Sequence, residues 1–93
     1  MDTRVALVGI VIENNESIAK MNSILSDFAP YIIGRMGIPY RERQISIISV
    51  VLDAPDNVIS SLSGKIGMLD GITTKTVYSK VSKNQNQETK EEN

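Results

Sequence analysis

The chain alternates between short apolar runs and amphipathic stretches, and the period of each predicts what it becomes. Residues 4–12, RVALVGIVI, are apolar and β-branched over a span too short for a typical helix, which predicts a strand. ENNES follows, with asparagines suited to capping the N–H groups of a first helical turn. Ile18, Met21, Leu25 and Phe28 then recur every three or four residues, the stripe of a helix that buries one side. Pro30 is expected to end it, because the residue before a proline avoids the helical region. YIIGRMGI (31–38) and ISIISVVLD (45–53) predict a second and a third strand. Ile59, Leu62, Ile66 and Leu69 mark a second helix, opened by Pro55 and Asp56 and stopped at Gly71. ITTKTVYSKV (72–81) closes the pattern as a fourth strand. The methionines at 21, 36 and 68 read as core or gap-filling residues.

Strand, helix, strand, strand, helix, strand, joined by right-handed crossovers, predicts an α+β, ferredoxin-like βαββαβ sandwich. Its four-stranded antiparallel sheet carries two helices on one face, with strands one and three in the middle. Residues 1–81 make one domain. Residues 82–93, SKNQNQETKEEN, hold no apolar side chain to offset the entropy of ordering, which predicts a disordered polar tail.

The central strands are apolar on both sides. Val5, Leu7 and Val11 alternate with Ala6, Val8, Ile10 and Ile12, and Ile45, Ile47 and Val51 alternate with Ile48, Val50 and Leu52. Two helices cover one face only. The other offers roughly 400 Å² in plan, as large as the biggest patches of ordinary monomers. A homo-oligomer, dimer or tetramer, assembled through the sheet is therefore expected.

Composition narrows the chemistry. Ten basic and eleven acidic side chains leave a net charge of −1, which argues against direct nucleic-acid binding and against an anionic membrane surface. Without cysteine or histidine the chain lacks thiol chemistry, the commonest transition-metal ligand and the commonest general base. No enzyme, metal or cofactor is expected. No secretory leader pattern or membrane-length apolar run stands in the sequence, so a cytoplasmic location is expected.

One stretch departs from the rest. GRMGIPYRER (34–43) packs two glycines, a proline, a tyrosine and three arginines between two apolar runs. Gly34, Gly37 and Pro39 are turn or bulge residues, and the charges protect an edge strand from unwanted pairing. Arg35, Arg41 and Arg43, offset only by Glu42, would also suit a clamp for a small anionic ligand or a subunit contact, with Tyr40 beside them, but on composition alone the turn and edge-protection reading is preferred. Glu13 and Asp53 form a second candidate. With strands one and three taken as parallel neighbours, these carboxylates would meet at one edge of the sheet and could hold a hard cation. Each also precedes a helix, where a carboxylate is favourable on electrostatic grounds, and that reading is preferred.

RVALVGIVIENNESI, YIIGRMGIPYRERQISIISVVLDAP and VISSLSGKIGMLDGITTKTVYSK together resemble the family of regulators ascribed to the iron-only hydrogenase system. The likeness spans about residues 4–80, and IIGRMGIPYRE is its most specific part. The family resembles ACT domains and the carboxy-terminal domain of the nickel-responsive regulator, which implies an ACT-like module sensing small ligands at subunit interfaces. It implies a ligand near Arg35, Tyr40 and Arg41, with Glu13 and Asn14 of the first strand-to-helix turn as a second wall. The nickel site does not carry over, since its histidines and cysteine are missing. Strand one begins within a few residues of Met1, so no ribbon-helix-helix domain is expected and any control of transcription would pass through a protein partner. The glycine that amino-acid-binding ACT domains place after strand one is replaced by ENNES. The alternative is a ligand-free assembly or accessory scaffold.

Overall fold

The computed structural model describes residues 2–80; the expected tail at 82–93 lies outside the described residues. Strands β1 (Arg4–Ile12), β2 (Ile32–Tyr40), β3 (Ile45–Ala54) and β4 (Ile72–Tyr78) form one sheet in the order β2-β3-β1-β4. Helices α1 (Ile18–Asp27) and α2 (Asp56–Gly67) pack on one face of it. This is the ferredoxin-like sandwich that the pattern predicts.

Every neighbouring pair of strands is antiparallel. The expectation that β1 and β3 run parallel is corrected here. A right-handed β1–α1–β2 crossover makes β1 parallel to β2, and the hairpin then returns β3 between them, antiparallel to both. Val5 consequently pairs with Asp53, and Ile12 with Ser46. Glu13 and Asp53 sit at opposite ends of the sheet, about 26 Å apart at ~3.3 Å per residue. They form no common site.

The core lies between sheet and helices. Val8, Ile10, Ile12, Val50, Leu52, Met21, Ile59, Leu62 and Ile66 are fully buried there. Each helical stripe does what its spacing predicts, with Met21 and Leu25 of α1 facing Ile59, Leu62 and Ile66 of α2 and the sheet. The expected helix stop at Gly71 is corrected: α2 ends at Gly67, and Gly71 instead adopts φ 72°, a left-handed conformation that closes the connection and opens β4. No described helix is long and apolar enough to cross a membrane.

On the opposite face the register sets side chains in rows across the four strands. Gly34, Val51, Leu7 and Val77 make one row, Met36, Ser49, Gly9 and Lys75 the next, and Ile38, Ile47, Val11 and Thr73 the third. Two apolar rows thus flank a row with small residues at its centre. Leu7 is 42% exposed, Met36 63% and Val77 65%. The expectation that Met36 and Met68 are core residues is corrected: Met36 stands on this open face and Met68 lies exposed after α2, while Met21 is buried.

Candidate functional site

The stretch 34–43 divides between two structural roles. Residues 34–40 extend edge strand β2 as far as Tyr40, and Arg41–Arg43 form a single 3-10 turn into β3. Pro39 is tolerated because an edge strand has a side with no partner to serve. The turn closes through Gln44, whose N–H donates to the Arg41 carbonyl at 3.1 Å from a left-handed backbone (φ 58°). The residue with positive φ is therefore Gln44, while Gly34 and Gly37 remain in strand conformation. The irregularity of β2 falls at Ile33, between the pairs Ile32–Leu52 and Gly34–Val51. That one extra residue turns everything after it over. Gly34, Met36, Ile38 and Tyr40 consequently share the open face, and Arg35, opposite Val50, is sent to the helix side.

The predicted site residues accordingly separate into two places. Tyr40 pairs with Ile45 at the hairpin end of β2, and Arg41 begins the turn beyond it. Glu13 follows Ile12 at the same end of the sheet, on the far side of β3, and its N–H donates to the Gly71 carbonyl at 2.7 Å. Asn14 beside it works as a tie between two connections. Its Oδ1 accepts from the Glu16 N–H at 3.0 Å, which caps the turn leading into α1, and its Nδ2 donates to Asp70 Oδ2 at 3.2 Å. Ser17, a buried polar side chain, adds a 2.7 Å bond from its Oγ to the Asp70 carbonyl. A Cβ on Gly71 would lie 2.5 Å from the Asn14 Cβ, so glycine is required for this closeness as well as for its φ. Arg41 and Arg43 are exposed and enter no ion pair among the described residues.

Arg35 stands apart from that group. Its Nη2 donates to Asn22 Oδ1 on α1 at 3.1 Å, and the guanidinium overhangs a groove between α1 and β2. Asn22, Leu25, Ser26, Ala29, Ile32 and Arg35 line this groove, whose volume is about 260 Å³. Leu25 is buried at its floor. Among the described residues the ion pair is Arg4 with Asp56, and Arg35 enters none. Sequence reasoning did not find Asn22 and Ser26, which read there as the polar side of an amphipathic helix. Their spacing of four placed them on one line, but only the bulge at Ile33 brings an arginine to meet it.

The arrangement presents guanidinium and amide donors, the groups suited to anions. Among the described residues no three side chains of the metal-ligating types gather at one point.

Comparison with known proteins gives a consistent result. The uncharacterized protein TM1266 from Thermotoga maritima superposes with a TM-score of 0.80 at 34% identity, covering 84% of this chain and 99% of that one. A formyltetrahydrofolate deformylase from Pseudomonas putida KT2440 superposes at 0.59 over 78% of this chain and 28% of its own, with 11% identity, a likeness of fold alone. No curated protein sequence matches. Residues 4–76 match the TM1266-like family described as "Iron-only hydrogenase system regulator, putative". The match covers both helices and nearly all of the sheet, including the bulged edge strand, and on that ground the chain belongs to the TM1266-like family.

Proposed function

We propose that this chain is a regulatory, ligand-sensing module of the iron-only hydrogenase system, ACT-like in design and cytoplasmic. It assembles as a dimer or tetramer through its open sheet face and acts through a protein partner, without catalysis of its own. One observation carries the assembly: Val5, Leu7, Met36, Ile38, Ile47 and Val77 are all exposed on a single flat face. Burying apolar surface stabilises by about 25 cal/mol per Å². Two such faces together remove on the order of 800 Å² in plan, below the usual size of a stable interface, so association through this face alone is expected to depend on concentration.

Sedimentation over a range of protein concentrations tests the assembly. The reading expects an oligomer that dissociates in the double variant Leu7→Lys, Val77→Lys while the melting temperature of the diluted subunit stays close to that of the parent. A parent chain that remains monomeric at every concentration refutes it. A ligand-free scaffold would use the same face but show no saturable response to small anions.

A further inference from the structure

The groove between α1 and β2 is built like a receptor with one kind of ligand in view. Arg35 supplies a guanidinium that no carboxylate of the described chain neutralises. Asn22 accepts from it through Oδ1, which leaves its NH₂ group as a spare donor. Ser26, one helical turn further along α1, adds a hydroxyl on the same side. Below these donors the lining is apolar, from Leu25, Ala29 and Ile32. Its volume of about 260 Å³ lies just below the range of drug-sized pockets, which suits a small ligand.

Charge and polarity together select the ligand. The single positive charge matches a monoanion; inorganic phosphate would want several cations or a row of backbone donors, and the apolar floor would go unused. No acidic residue lines the groove, so an ammonium group would enter without a charged partner and close to the Arg35 guanidinium. We infer that this groove binds a small carboxylate with a short apolar tail and no amino group, the carboxylate on Arg35, Asn22 and Ser26 and the tail on Leu25, Ala29 and Ile32.

The inference rests on the ligand-sensing reading only for its regulatory meaning; binding itself is independent of oligomeric state. The position is suited to coupling all the same. Arg35 lies between Gly34 and Met36, both on the open face, so a ligand that pulls on the guanidinium pulls on the strand that presents Met36 to a second copy.

The test is a titration of the full chain with 3-methylbutanoate, followed by amide chemical shifts, with 3-methylbutanamide, leucine and inorganic phosphate as comparison probes. Saturable shifts are expected in residues 22–35, with a dissociation constant of millimolar order for so small a ligand. The amide, leucine and phosphate should each bind more weakly. Arg35→Gln should weaken 3-methylbutanoate about tenfold to a hundredfold, the loss of one charge-assisted contact. Its dispersion of resonances should remain that of the parent, because the residue is exposed. Leu25→Ala cannot replace it as a control, since that change opens the core; Ser26→Ala serves, with a smaller loss of affinity. Absence of saturable shifts, equal binding by phosphate or leucine, or unchanged affinity in Arg35→Gln would each overturn the inference. Sedimentation of the same samples reads the assembly separately, so failure of the groove and failure of the oligomer cannot be confused.

Discussion

The two faces of the sheet are made from nearly the same residues and have opposite fates. On the helix side Val8, Ile10, Ile12, Val50 and Leu52 are sealed from water. On the other side Val5, Leu7, Ile47 and Val77 meet solvent, although they are no less apolar. The open face differs by a central row with Ser49, Gly9 and Lys75, but its flanking rows are apolar. What seals the other face is the stripes of α1 and α2, which cover one face once. Apolarity therefore has two uses in this molecule. On one side it drives folding, and on the other it is surface still available for association.

The difference should show first in stability. Ile10→Ala empties a fully buried position and should cost about 2–5 kcal/mol, measured by chemical denaturation of the diluted protein. A loss below ~1 kcal/mol would mean that the helix-side core is looser than its burial implies. Gly71→Ala tests the tie that holds the ends of the two helical connections together. A Cβ there meets the backbone N of Asn14 at 3.0 Å and demands a left-handed alanine, so a loss on the order of 1–3 kcal/mol is expected. An alanine variant as stable as the parent would show that the β1–α1 turn shifts freely and that Asn14 does not pin it. Leu7→Ala should change the stability of the separated subunit by less than ~1 kcal/mol, since the side chain is already 42% exposed. The same substitution should lower the apparent stability further at high protein concentration, where association adds to it. An equal loss at all concentrations would collapse the contrast between the faces.

The candidate site was less legible than the fold, for a reason visible in β2. Strict alternation from Ile32 would send Arg35 outward and Met36 toward the helices. The bulge at Ile33 inverts both, because a strand repeats every two residues and a single insertion exchanges its faces. Asn14 was read as a cap and as a site wall; its bond from the Glu16 N–H shows the capping role directly, and its bond to Asp70 adds a tie to the second helical connection. Its second partner is 56 residues away, beyond any local pattern.

What the sequence determined by itself is what local periodicity can encode. It set the apolar stripes of α1 and α2, the two-sided apolar strands β1 and β3 and the order of elements that leaves few topologies open. Tertiary structure decided the antiparallel pairing that separates Glu13 from Asp53, and the register that aligns Leu7 with Val51 and Val77. It also decided the bulge that carries Arg35 to Asn22. Those outcomes depend on which strands become neighbours and where the ladder skips a residue. Long-range backbone pairing settles both, at positions where the sequence shows only apolar residues and glycine.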